Sequence, residues 1–177
     1  MSQNDKTFQQ IQLDIKRFGD LCKRFPDIAG TEAVKLFQEN FTKQGWQGET
    51  FQPWQRKKVE NGYNTLMSKN QNSLQKSIHI ASKTETTVVI ATGDNKPYAR
   101  IHNEGGTINV PVTEKLKKWA WAMHYKTGND KYKAIALTKK STLKITMPQR
   151  QFMGATPELL KRIETVFNHL LNKISKS

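Results

Sequence analysis

The stretch from Thr156 to Ile174 constrains the chain more than any other. Leu159, Leu160, Ile163, Val166, Phe167, Leu170, Leu171 and Ile174 recur at helical spacing and make a wide apolar stripe. Thr156 is placed to cap this helix. Pro157 suits its first position, where an N–H has no partner, and Glu158 meets the positive end of the helix in the first turn. A stripe this wide must be covered, and the expectation is that it packs across a sheet. Only 36% of the 177 residues are apolar, so one domain over 1–177 with a modest core is expected.

The front of the chain, 1–54, reads as helical. Phe8, Ile11, Ile15, Phe18, Cys22 and Phe25 fall at spacings of 3-4-3-4-3, a narrow seam. Such a seam can lie on its own domain or meet another subunit. It is shorter than the three to four heptads that argue a coiled coil, which favours the first. Cys22 on the seam reads as a small core residue, and a single cysteine allows no internal disulfide. Pro26 to Gly30 is expected to break the helix. Thr31 would cap a second one carrying Ala33, Val34, Leu36, Phe37 and Phe41, ending near Gly45. Trp46 to Trp54 reads as a loop pinned to the body by its aromatics, in preference to a stacking platform. Residues 55–73 are polar and basic, with an Asn61-Gly62 turn, and read as an exposed segment.

Residues 74–177 then read as an α+β core. Leu74, Ile78 and Ile80 alternate with polar residues, and Thr86 to Thr92 is nearly all β-branched, which predicts a hairpin. Apolar residues on both faces of its second strand suggest a central position. Gly93-Asp94-Asn95 ends it. Pro97 opens a short helical turn through His102 that Gly105-Gly106 stops, and the flanking strands are expected to pair around this corner. Ile108, Val110 and Val112 alternate as a third strand, which Pro111 marks as an edge. Leu143, Ile145 and Met147 give a fourth, ended by Pro148. The fold class is therefore α+β: a small antiparallel sheet, a long C-terminal helix, N-terminal helices and a basic helical insertion at 113–142.

Net charge is +14, which predicts attraction to something acidic and says nothing of fold. Residues 113–144 hold nine lysines against two acids, +7, half of that total. Lys115, Lys117, Lys118, Lys126, Lys131, Lys133, Lys139 and Lys140 are the candidate contacts to phosphate or an acidic partner. No apolar run reaches the roughly 18 residues that span a bilayer, and no secretory h-region is visible.

Motifs for chemistry are missing. His79, His102, His124 and His169 have no Cys or His at metal-ligand spacing. No G-x-S-x-G, Walker or G-x-G-x-x-G pattern occurs, and the fifteen carboxylates are scattered. No catalytic, cofactor or metal residue is assigned, and no small-molecule substrate or membrane partner is expected. Arg100 and Arg150 are placed to pair with Glu104, and an ion pair fixing the corner is favoured over a ligand-binding arginine.

Two stretches carry a resemblance. Tyr98-Ala99-x-Ile101-His102-x-x-Gly105-Gly106 precedes a strand and an insertion; Ile145-x-Met147-Pro148-x-Arg150-x-Phe152-Met153-Gly154 precedes the last helix. Together they resemble the Y-A-x-x-H-x-x-G-G and I-P-x-R-x-F-x-G patterns of the phage virion morphogenesis proteins, the Mu-like and tail-S tail-completion family related to small head–tail connectors. Ile145 stands one strand position early, and the 113–142 insertion is longer than in the plainest members. Gly45-Trp46, Pro53-Trp54 and Leu74-x-x-Ser77 also fit. The resemblance implies a structural protein, not an enzyme. It would act at the tail end or neck as a ring or other homo-oligomer against virion proteins, in the host bacterial cytoplasm during assembly and then in the virion. Tyr98, Ala99, His102, Gly105, Gly106, Pro148, Arg150, Phe152 and Gly154 would then shape subunit borders. The competing class is a sequence-nonspecific nucleic-acid-binding module using the lysines of the insertion.

Overall fold

A computed structural model describes residues 3–57, 64–67, 73–93 and 96–176. They divide into two compact units: Met1–Glu104 with Arg150–Ser177, and Gly105–Gln149. The class is α+β, as expected, with the strands paired as three two-stranded antiparallel ladders.

In the first unit, α1 (Gln3–Lys23) is followed after one residue, Arg24, by α2 (Phe25–Lys43). The expected break at Pro26–Gly30 does not occur. Pro26 lies in the first turn of α2, where its missing N–H costs nothing, so Thr31 is helix interior and caps nothing. Gly30 is tolerated inside α2 because the hairpin approaches there. A Cβ on it would lie 2.8 Å from Ile80 Cδ1 and 2.9 Å from Val88 Cγ2. α2 ends at Gln44, whose backbone is left-handed (φ 58°) and whose side chain exchanges hydrogen bonds with the backbone of Thr65. Thr65 is buried, so this part of 55–73 is not exposed as expected, and the Asn61-Gly62 turn lies outside the described residues.

β1 (Gly45–Gln47) and β2 (Phe51–Pro53) make a tight hairpin in place of the expected loop. Trp46 and Trp54 at its base are both buried, which is the expected pinning by aromatics. After a 3-10 turn at Gln75–Ser77, β3 (His79–Lys83) pairs with β4 (Val88–Ala91) in the expected hairpin, with an irregularity between Ile80 and Ser82. β4 is not central: it has one strand neighbour, and its other contacts are with α2. α2 and the core cover the face that carries Val88 and Ile90, while Val89 on the other face is 47% exposed. α3 (Tyr98–Glu104) follows. β4 does not pair around that corner with the strand beyond Gly106; each has its own partner.

The core gathers Leu36, Phe37, Phe41, Trp46, Trp54, Leu74, Ile78, Ala99 and Phe152. Phe41 is its centre, 5.1 Å from Phe152 and 5.4 Å from Trp54 between ring centroids. The last helix, α6 (Pro157–Ser175), lies on α2 and α1, with Phe25 meeting Phe167 edge-on at 5.4 Å. Thr156 caps it by accepting from the Glu158 N–H.

α1 departs from expectation on its seam. Leu21 is buried and Asp14 and Arg17 are half-buried, whereas Phe8 (62% exposed), Ile11 (51%), Ile15 (66%) and Phe18 (45%) face away from the unit. Cys22, on the same stripe, is exposed and not a core residue. The helix is held by the neighbouring ridge, so its apolar seam is left open.

The second unit is a ladder with a helical excursion. β5 (Gly106–Pro111) pairs with β6 (Thr142–Met147) over six positions, from Gly106↔Met147 to Pro111↔Thr142. Pro111 therefore sits in a two-stranded ladder whose strands are both edges. Between them, Thr113 caps α4 (Glu114–Thr127) by accepting from the Leu116 N–H. Gly128 ends α4 with φ 66°, and Asn129 caps α5 (Asp130–Ala136). The two helices pack together, with Ala120 and Ala136 both buried.

Candidate functional site

The two sequence stretches singled out above do come together, through backbone groups. In the first unit the Arg150 N–H donates to the His102 carbonyl at 2.7 Å. One residue further along α3, Asn103 does most of the holding. Its Oδ1 accepts the N–H groups of Phe152 (2.9 Å) and Met153 (3.0 Å), and its Nδ2 donates to the Met153 carbonyl (3.2 Å). The segment is held from its other side as well. Trp54 Nε1 donates to the Gln151 carbonyl at 2.8 Å, and Asn40 Nδ2 donates to the Phe152 carbonyl at 3.1 Å. Thr156 Oγ1 donates to the Gln47 carbonyl at 2.7 Å. An irregular segment can run through a core only if its polar backbone groups find partners, and these side chains supply them. Phe152, 1% exposed, is the apolar plug that the network positions.

The flanking residues differ in exposure. Ala99 is buried and Tyr98 is exposed, its ring edge-on to His102 at 6.0 Å. Gly154 takes φ 151°, a conformation that disfavours a side chain. Within the second unit the same two stretches adjoin again. Gly105 (φ 72°) has room for no Cβ, which would stand 2.9 Å from the Gln149 backbone nitrogen, while Gly106 pairs with Met147 next to the half-buried Pro148.

Arg150 is buried and does not pair with Glu104; its Nε donates to the Gln55 carbonyl at 3.0 Å. Burial pushes its guanidinium pKa down. Glu104 is taken by Arg100 on the next turn of α3, 2.9 Å away. His102 is half-buried, and its Nδ1 is the one buried side-chain N or O among the described residues without a hydrogen-bond partner. Loss of hydration, and then the positive charge of Arg150, hold its pKa below the ordinary 6.5.

An open groove of about 350 Å³ runs along α3, lined by Lys96, Arg100, Asn103, Glu104, Phe152 and Met153 among others. Its ionisable groups are a lysine and an arginine–glutamate pair, with no nucleophile beside a base. Among the described residues no cluster of His, Cys, Asp and Glu could hold a metal, and no helix is long and apolar enough to cross a membrane.

All eight candidate lysines lie in the second unit. Lys117 is half-buried with Glu114 at 3.8 Å; the other seven are exposed. The hub residues Asn40, Gln47 and Asn103 escape sequence reasoning, since a single polar residue in a helix or strand carries no periodic signal. The one available clue is that Asn103 lies inside the first stretch.

A model of the phage virion morphogenesis family matches residues 6–172 of this chain, spanning both units. No curated protein matches, and no solved structure does either.

Proposed function

We infer, from the premise that this chain belongs to the phage virion morphogenesis family, that it is a structural subunit acting in tail completion or in joining head to tail, and that it works by contacts with its own copies and with other virion proteins. The family supports the structural phage-assembly role. The finer reading rests on the open seam of α1. Phe8, Ile11, Ile15 and Phe18 present a continuous apolar stripe to solvent at the 3-4 spacing that interlocks helices. These four residues are 45–66% exposed, so covering each with a partner helix would gain about half of the roughly 1.5–3 kcal/mol that complete burial is worth. The motif corners support a scaffold for a different reason: their hydrogen bonds go to holding the segment 150–156 in the core.

The decisive experiment is assembly without the chain. Particles produced in its absence are expected to be heads and tails that fail to join, or tails of abnormal length, and normal infectious particles would overturn the reading. The seam is tested by the Ile15→Lys, Phe18→Lys double variant. It should retain the melting temperature of the parent and fail to restore assembly; full restoration would remove α1 from the contact.

A further inference from the structure

The exposed face of α4 carries more than lysines. Trp119, Ala122 and Tyr125 lie three residues apart, which places them along one ridge of the helix. Trp119 is 49% exposed and Tyr125 80%, and Ala122 between them is exposed and small, which leaves a shallow trough between two rings. Each ring is backed by another. Trp119 meets Tyr132 of α5 edge-on at 5.5 Å, and Tyr125 stacks on Trp121 at 5.8 Å with 24° between the planes. Each ring thus has an aromatic neighbour that favours its observed orientation. Lys115 and Lys118 flank the ridge on its N-terminal side and Lys126 on its C-terminal side, and all three are exposed. Among the described residues none of these three has a carboxylate within 4.0 Å, so their charge is open to an outside partner.

We propose that this face of α4 binds single-stranded nucleic acid, with phosphates on Lys115, Lys118 and Lys126 and unpaired bases stacked on Trp119 and Tyr125. Alternating cations and ring faces match a strand whose charge lies on one edge and whose flat apolar groups lie on the other. A duplex hides its ring faces and would leave the aromatic pair unused. An anionic membrane surface would need an aliphatic stripe to sink into the headgroups, and the exposed face offers only Ala122 between the two rings. The inference is independent of the seam on α1 and holds whether or not that seam meets another copy.

The test uses the full chain and two fluorescent probes, a short oligodeoxythymidylate and a mixed-sequence duplex, titrated across salt concentration. Anionic phosphatidylglycerol vesicles serve as the third probe. The single strand is expected to bind more tightly than the duplex, with quenching of tryptophan fluorescence. Tyr125→Ala should weaken single-strand binding roughly tenfold and leave duplex binding unchanged, and Tyr125→Phe should restore it. The Lys115→Gln, Lys118→Gln, Lys126→Gln variant should reduce the dependence of log affinity on log salt by about two. Because all these side chains are exposed, unchanged circular dichroism of each variant confirms that the fold is intact. Equal affinity for the two oligonucleotides with a silent Tyr125→Ala would overturn the proposal. So would vesicle binding without oligonucleotide binding, or no oligonucleotide affinity at low salt.

Discussion

The side-chain oxygen of Asn103 accepts two successive backbone N–H groups, those of Phe152 at 2.9 Å and Met153 at 3.0 Å, and so sets where the buried Phe152 ring enters the core. Replacing Asn103 by alanine strands both donors. Each unsatisfied buried group costs about 1–3 kcal/mol, so Asn103→Ala should destabilise the chain by at least about 2 kcal/mol. Asn103→Asp keeps an accepting oxygen for both N–H groups but sets its second oxygen against the Met153 carbonyl in place of a donor, so it should still destabilise, by less than alanine. Thermal or denaturant unfolding of the two variants checks the order.

Gly105 gives a prediction about the second unit. Its positive φ is strained for any side chain, and a Cβ would press on the Gln149 backbone, which cannot rotate aside. Gly105→Ala should therefore destabilise by about 1–3 kcal/mol. Hydrogen exchange read at the β5–β6 ladder is the appropriate measurement, since it resolves loss in this unit from loss elsewhere.

Arg162 clasps α2 to α6, with both Glu39 oxygens at 2.8 and 3.0 Å and Glu158 at 3.0 Å. The hydrogen bond from Arg162 outweighs the opposing effect of burial and holds the Glu39 pKa below its ordinary 4.5. A depressed carboxylate contributes stability that is complete above 4.5 and is lost as pH falls through the lower folded value. Glu39→Gln should remove that acid-side dependence. Because Glu39 is partly exposed, the expected cost near neutral pH is only about 1 kcal/mol. Stability measured from neutral pH down past 4 checks both points.

His102 has the same sign for a different reason. Burial and Arg150 lower its folded pKa below 6.5, so the unfolded chain takes up a proton before the folded one does. Stability should be unaffected above about 6.5 and should decline as pH falls from there toward the folded value, levelling off below it. His102→Gln should flatten this interval and leave the acid limb due to Glu39 in place. A histidine titration followed by NMR in the folded chain gives the independent reading.

Much of this architecture was legible in local patterns. Thr156-Pro157-Glu158 announced α6, Thr113 announced α4, and the β-branched run 86–92 announced the second strand of a hairpin, because caps and strand composition act within a few residues. What failed depended on distant partners. The two apolar faces of β4 indicated burial on both sides, whereas only the Val88 and Ile90 face is covered, by α2 and the core, and Val89 is left exposed. The seam on α1 had the pattern of a buried helix, and nothing local distinguishes a seam turned inward from one turned outward. Cys22 went astray with it. Of the site, the motif residues were visible as Gly/Pro-punctuated corners. Their anchors were not, because Asn40 and Asn103 reach residue 152 across long stretches of chain.

The joint between α1 and α2 is a single residue, Arg24, held in the right-handed helical region at φ −85°, ψ −5°. No slack separates the exposed helix from the core-bearing one. The direction of α1 is set by the Arg24 torsions together with the packing of its other ridge, where Leu21 is buried, against α6 and α2. Adding one residue at the joint would turn the exposed stripe of Phe8, Ile11, Ile15 and Phe18 by about 100° around the axis of α1 relative to α2.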